Sequence, residues 1–256
     1  MLQPNDLLSR RDTRLPTGRL TYLEPSASRP NPPTEPPGRR PSSRRPRPSL
    51  HLAVSDRLVV ATTNPNKTRE IRALLAGLDV DLSTLEAWAA IAAPEETGRT
   101  FEENARLKAL YYAAATGELV VAEDSGLEID ALGGRPGVES ARFGGFDTTY
   151  PRKFQLIEEE MKELGAAGST ARFVCALALA RGNRLLFETR GVVEGQVTFP
   201  ARGTSGFGYD PLFYYPPLNC TFAEATAEQK AAVSHRGRAF RALKKFLVEG
   251  NSRLPA

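Results

Sequence analysis

The chain has 256 residues, 41% of them hydrophobic, enough to bury one core of ordinary domain size or two small ones. Its longest apolar run, 173–180, is closed by Arg181 and falls short of the roughly 18–20 residues a membrane helix needs, so it reads as a buried strand and no membrane span is expected. The net charge of +4 is uneven: residues 1–50 hold ten Arg and four acids, a net +6, which leaves the rest of the chain at −2 and makes nucleic acid an unlikely partner for it.

Residues 1–56 hold eleven of the twenty prolines, have low hydrophobicity and show no sustained periodicity. Such a segment cannot bury enough surface to offset its ordering entropy, so it reads as a disordered Pro/Arg-rich extension to a domain spanning 57–250. An organellar transit peptide, a tether to nucleic acid or a membrane surface, and an upstream start-codon assignment are competing readings. The two cysteines, Cys175 and Cys220, form no CxxC or Cys/His cluster, which argues against structural zinc and for a reducing compartment such as the cytoplasm.

Order is expected from Arg57, where 57–62 reads as a buried strand. Asn64 and Pro65 then supply an N-cap and a first helical residue, with Ile71, Leu74 and Leu75 on one face and Gly77 beyond the end. A short strand follows near 79–83. Thr100 and Glu103 have capping-box spacing for a helix over 101–115, closed by Gly117. Residues 119–122 and 127–132 read as two separate strands with an acidic turn between them. A helix over 150–164 lies between Pro151 and Gly165. Residues 171–180 and 184–194 read as a hairpin about Gly182-Asn183, and a last helix covers 237–249. Strands and helices mix without strict alternation, which gives an α/β class with a mixed sheet.

Four stretches carry candidate chemistry. Thr62-Thr63-Asn64-Pro65-Asn66-Lys67 stands at a strand-to-helix junction, where free amides and the helix dipole favour an anion; an ordinary capped helix with a solvated Lys is the alternative. Glu123-Asp124-Ser125-Gly126 places two carboxylates side by side. Their repulsion is relieved by a divalent cation such as Mg²⁺, or the stretch is a turn that caps local amides. Glu95 or Glu96, in the loop before the capping box, is either a further metal ligand or solvated. Gly206-Phe207-Gly208-Tyr209-Asp210 offers two aromatic faces for a base, a close backbone approach and an acceptor, unless it is a packed core turn. Some twenty residues later Lys230, His235 and Arg236 offer donors for purine carbonyl oxygens and phosphate.

The order and spacing of Ala61–Lys67, Glu95–Gly98, Phe101–Ala105, Glu123–Leu127, Leu132–Val138, Ser140-Ala-Arg-Phe143, Gly206–Pro211 and Ser234-His-Arg236 resemble the inosine triphosphate pyrophosphatase family. The resemblance covers 57 to about 248. It implies a long mixed β-sheet flanked by helices, with two lobes and a nucleotide-binding cleft between them, a homodimer and a Mg²⁺ requirement. It also implies hydrolysis of dITP, ITP, XTP or dXTP to the monophosphate and pyrophosphate, which keeps deaminated purines out of the nucleotide pool. Carried over by position, 62–67 contact the triphosphate. Asp124 is proton acceptor and metal ligand, with Glu95 and Glu123 beside it at the metal. Ser125, Phe207, Gly208, Tyr209, Asp210, Lys230, His235 and Arg236 bind the nucleotide. Thr63 and Asn66 stand where relatives often have Gly, and Glu123 where many have Asp. Two rivals are a Maf-like pyrophosphatase, which the His235-Arg236 pair opposes, and a binding protein without turnover, either a nucleotide-binding regulator or an RNA binder acting through its tail.

Overall fold

Three long strands form the spine of the protein in the computed structural model, which describes residues 57–251; the expected disordered extension lies outside them. They are β3 (Leu119–Ile129), β4 (Ser169–Arg181) and β5 (Arg184–Val197), paired antiparallel in sequence. On one side β1 (Arg57–Val60) runs parallel to β3, and β2 (Asp81–Thr84) runs parallel to β1. On the other side β6 (Phe213–Tyr215) and β7 (Cys220–Thr221) complete a seven-stranded mixed sheet of order β2-β1-β3-β4-β5-β6-β7.

Alternation along the strands sends successive side chains to opposite faces. Leu58, Val60, Leu119 and Val121 meet α1 (Pro65–Leu75) and α5 (His235–Asn251), while Val59, Ala61, Val120 and Ala122 meet α2 (Phe101–Thr116). A third core, around Leu127, Ile157, Phe173, Phe213 and Phe222, joins α3 (Tyr150–Glu163) to the far part of the sheet. These cores form two lobes on one sheet. Each fully buried Leu, Ile or Phe contributes about 1.5–3 kcal/mol by leaving water.

Several expectations are corrected. The strands expected at 119–122 and 127–132 are one strand through 129, so the acidic pair lies inside β3. The hydrogen-bonded partners on β4 hold it extended: Glu123 lies opposite Leu177 and Asp124 opposite Ala176. The last helix begins at His235, two residues earlier than expected. The short helix α4 (Ala227–Val233), opened by a reciprocal Thr226/Gln229 capping box, was not foreseen. At α2 only half of the expected box forms. Thr100 Oγ1 accepts from Glu103 N, but the Glu103 carboxylate accepts from Arg99 N instead of Thr100 N. Among the described residues no helix is long and apolar enough to cross a membrane.

The start of α5 rests directly on β5. A Cβ on Gly191 would overlap the carbonyl oxygen of His235 and come within 2.8 Å of Ala239 N, both backbone atoms that cannot step aside. Gly191→Ala is therefore expected to cost about 3 kcal/mol, a fall in Tm of about 6–12 °C. Gly168→Ala, where nothing lies within 4 Å, serves as the control and should melt at or slightly above the wild-type temperature. Equal melting of the two variants would show that the α5–β5 contact is looser than described.

Candidate active site

The cleft lies between the lobes, and strand parity decides what faces it. Glu123 continues the β3 face that meets α1 and α5; Asp124 continues the face that meets α2. The two neighbouring carboxylates therefore take different partners.

On the α2 face, Asn104 and Lys108 are one helical turn apart and point at Asp124. Asn104 Nδ2 donates to Asp124 Oδ2 at 3.2 Å, while its Oδ1 accepts from Gly98 N at 2.8 Å. Lys108 Nζ reaches Asp124 Oδ1 at 3.2 Å and Glu96 Oε1 at 3.0 Å. Burial raises the Asp124 pKa, and Lys108 and Lys67 offset this only in part, so the carboxylate is a better proton acceptor than a solvated one. Of the two loop acids, Glu96 turns inward, whereas Glu95, the expected ligand, is exposed. Glu96 is half-buried and paired with Lys108, and only it of the two lines the cleft.

On the other face, Glu123 is 3% exposed and saturated by the protein. Its Oε1 pairs with Lys67 Nζ at 2.9 Å and accepts from Arg236 Nη2 at 3.1 Å; its Oε2 accepts from Cys175 Sγ at 3.3 Å. Burial alone would raise its pKa, but Arg236 and Lys67 hold it well below the usual carboxylate range. This full set of partners leaves Glu123 unsuited to bind a metal, contrary to expectation.

The pairing runs on. Arg236 Nη1 donates to Glu70 Oε2 at 2.8 Å, and Lys230 Nζ lies 2.8 Å from Glu70 Oε1 and 2.5 Å from Asp210 Oδ2. Six alternating charges, Asp210–Lys230–Glu70–Arg236–Glu123–Lys67, thus connect the two ends of the cleft. Arg236 Nη2 also donates to Ser125 Oγ at 2.9 Å.

At the end of the cleft beside the start of α1, Thr62, Thr63, Asn64 and Lys67 line it. Asn64 Oδ1 accepts from the amides of Asn66 and Lys67, and Thr62 Oγ1 from that of Asn64, so the helix start is already capped internally. With these amides occupied, Thr62, Thr63 and Lys67 are what this end brings to the cleft wall beside the capped helix start. Pro65 faces an adjoining groove, and Asn66 accepts from Arg69; neither lines the cleft.

At the other end Phe207 is half-buried, with Lys230 Nζ 4.8 Å and the Arg236 guanidinium 5.6 Å from its ring centroid. Gly208 lines the cleft beside it. Tyr209 was expected to offer a stacking face, but it is 3% exposed, packed edge-on to Tyr150, and its hydroxyl donates to Ser140 O at 3.0 Å. The Asp210 carboxylate is likewise turned inward, accepting from Phe207 N at 2.7 Å as well as pairing with Lys230. A side chain on Gly206 would overlap Asp210 Oδ2, which explains that glycine. His235 stacks on Phe173 and is buried. Burial, with Arg236 and Lys230 nearby, lowers its pKa well below the usual imidazole value, so it is neutral. His235 Nδ1 and Arg236 Nε have no hydrogen-bond partner among the described residues, although both side chains line the cleft.

The sequence reading named Glu96 only as an alternative to Glu95, and assigned no role to Glu70, Asn104, Lys108, Ser140 or Arg142. A signal existed for Asn104 and Lys108, which fall on the buried stripe of α2 with Phe101, Ala105 and Tyr112, where a polar residue needs a buried partner.

A cleft with an anion-receiving strand–helix junction at one end and a cation-ringed aromatic at the other, built across a mixed sheet, defines a nucleotide-handling α/β protein. The chain belongs to the Ham1 family, whose model matches residues 58–246. The dITP/XTP pyrophosphatase of Exiguobacterium sibiricum is 48% identical over 192 residues, covering 75% of this chain and 97% of that protein. That of Thermus thermophilus is 48% identical over 194 residues, covering 76% and 93%. A HAM1 protein from Coxiella burnetii matches in structure with a TM-score of 0.71 at 36% identity, over 76% of this chain and 99% of that one.

Glu70 provides a test of the charge chain. Burial raises its pKa, but Arg236 and Lys230 outweigh that and lower it from 4.5. A depressed carboxylate pKa stabilises the fold fully above the unfolded value and loses that stabilisation as pH falls through the folded value. Glu70→Gln should therefore cost about 2 kcal/mol at pH 7, and the deficit should shrink below pH 4.5 until the two proteins converge. Denaturant melts across pH 2.5–7 check this; a deficit independent of pH would mean that packing, not charge, is what Glu70 supplies.

Proposed function

We propose that this enzyme hydrolyses deaminated purine nucleoside triphosphates, dITP and ITP, XTP and dXTP, to the monophosphate and pyrophosphate, and so clears them from the nucleotide pool. The observation that carries the base assignment is the Arg236 guanidinium beside the Phe207 ring, its Nε buried and, like the Nδ1 of the adjoining His235, without a hydrogen-bond partner among the described residues. A purine with a carbonyl oxygen at position 6 provides an acceptor for donors there. An adenine amino group leaves a buried donor unpaired, at a cost of about 1–3 kcal/mol per group. The relatives named dITP/XTP pyrophosphatase support the same choice.

The residues fit a divalent ion of the magnesium type. Asp124 and Glu96 are hard oxygen donors brought together by Lys108, and among the described residues no cluster of three or more His, Cys, Asp or Glu forms a dedicated cage. One or two carboxylates with substrate phosphate oxygens is the usual set for Mg²⁺. Bound there with the triphosphate, Mg²⁺ supplies Lewis-acid neutralisation of phosphate charge. Asp124, its oxygens oriented by Asn104 and Lys108, accepts the proton of the water that attacks the α-phosphorus. Lys67 meets the phosphates while Glu123 fixes its position, and Phe207 offers its ring to the base. The homodimer and the cytoplasmic location belong to the same proposal, supported by family likeness.

A magnesium-dependent assay with dITP, XTP, dTTP, ATP and GTP, scoring pyrophosphate against orthophosphate, tests the reading. Pyrophosphate from dITP and XTP, with little from the others, is expected. Orthophosphate would overturn attack at the α-phosphorus, preference for dTTP would favour the Maf-like rival, and no turnover would leave a binding protein. Asp124→Asn should lower kcat about 10²–10⁴-fold; near-wild-type turnover in that variant would remove Asp124 from its role.

A further inference from the structure

The Ser140-Ala-Arg-Phe143 stretch is used by none of the chemistry above, yet the protein fixes it from three sides. Ser140 Oγ accepts from Leu127 N at 2.9 Å and donates to Gly137 O at 2.6 Å. It sits so close to β3 that a Cβ on Gly126 would overlap it. The Ser140 carbonyl accepts from the Tyr209 hydroxyl, and Lys153 Nζ donates to the carbonyls of Ala141, at 2.5 Å, and Ser140, at 3.5 Å. Lys153 is 2% exposed and has no carboxylate partner among the described residues; its other neighbour is the Tyr150 ring, 5.0 Å away. Burying an ammonium against carbonyls alone is expensive, so this turn is held at a real cost to stability.

What the turn presents to the cleft is Arg142. Its side chain lines the cavity with Asp124, Ser125 and Glu96, and the fields of Glu96 and Asp124 both act on its guanidinium. Among the described residues its one ion pair is with Glu139 three residues back, where Nη2 donates to Oε1 at 2.7 Å and Nε to Oε2. Both members are partly exposed, 30% and 51%, and a pair of that kind is cheaply exchanged for a better anion. Arginine's planar fork suits phosphate oxygens.

We propose that Arg142 is a catalytic residue that grips the β- and γ-phosphates, and that Lys153 is the positioning residue that aims it. The inference rests on the proposed function. In that reaction a water oxygen bonds to the α-phosphorus and its proton passes to Asp124. The bond from the α-phosphorus to the α–β bridging oxygen breaks, and its electron pair leaves on the pyrophosphate. Arg142 neutralises the charge gathering on that leaving group, a role distinct from Lys67 at the helix start.

The experiment compares wild type, Arg142→Gln, Arg142→Lys, Lys153→Met and the Arg142→Gln/Lys153→Met double variant in dITP hydrolysis. It also measures product inhibition by magnesium pyrophosphate and by dIMP separately. Arg142→Gln should lower kcat/KM about 10²-fold and weaken pyrophosphate inhibition at least about tenfold, leaving dIMP inhibition unchanged. Arg142→Lys should recover part of both losses. Lys153→Met should shift the same two quantities less, and the double variant should be no worse than Arg142→Gln alone, since the two act as one unit. Unchanged pyrophosphate inhibition in Arg142→Gln, or equal weakening of pyrophosphate and dIMP, overturns the proposal. If Lys153→Met fails to fold, the Arg142 variants decide the question. Failure of the wild type to release pyrophosphate would instead sink the proposed function.

Discussion

The site depends on one buried carboxylate. Glu123 is the point where α1, through Lys67, and α5, through Arg236, are joined to the central strand, and Cys175 on the neighbouring strand completes its set. Taking a carboxylate, an ammonium and a guanidinium out of water costs several kcal/mol per ion, which only close, well-hydrogen-bonded pairing repays. Here the repayment runs beyond a single pair, because Glu70, Lys230 and Asp210 extend the alternation and every inner charge has an opposite charge on each side. An alternating chain of this kind determines geometry more than it adds stability. Lys67 at the phosphate end and Arg236 beside Phe207 cannot be repositioned independently, since both bond to the same Oε1.

Strand parity makes this possible. Had Glu123 and Asp124 stood in a turn, they would have competed for one cation. Inside β3 they face apart, and the protein gives each a separate task. Glu123 takes two cations and becomes structural. Asp124 takes Asn104 and Lys108, stays incompletely compensated, and keeps a raised pKa. The same two-residue period that sorts Val121 and Ala122 into different cores sorts these acids into different chemistry.

Much of this was legible in the chain. The Asn64-Pro65 helix start, the α2 and α3 boundaries and the hairpin about Gly182-Asn183 follow from local capping and turn chemistry, which acts over a few residues. The lining residues Thr62, Thr63, Asn64, Lys67, Lys230, His235 and Arg236 carried a family pattern. The partners were not legible, because partnership is a tertiary fact. No local signal says that Glu123 will meet residues from two helices, that Tyr209 will turn its hydroxyl to Ser140, or that the loop will turn Glu96 inward instead of Glu95. The acidic pair was misread as a turn for a related reason. Glu-Asp-Ser-Gly has turn composition, and only its eleven-residue register with β4 overrides that preference.

The same pairing bears on how a triphosphate is received. Lys67, Lys108, Lys230, Arg142 and Arg236 all line the cleft, and each already faces a carboxylate of the protein. A polyanion entering this cleft therefore meets donors and cations whose charge is largely spent, so side chains alone do not balance it. In the proposed reading, a divalent ion held by Asp124 and Glu96 would add the missing charge while leaving the Glu123 chain intact. Compensation of the protein's charges within itself accounts for a cleft that is rich in lysine and arginine and yet close to neutral. The inner acids of the chain, Glu70 and Glu123, are held low by cations on both sides, whereas Asp124, outside the chain, and Asp210, at its end, keep raised values because burial outweighs their cations.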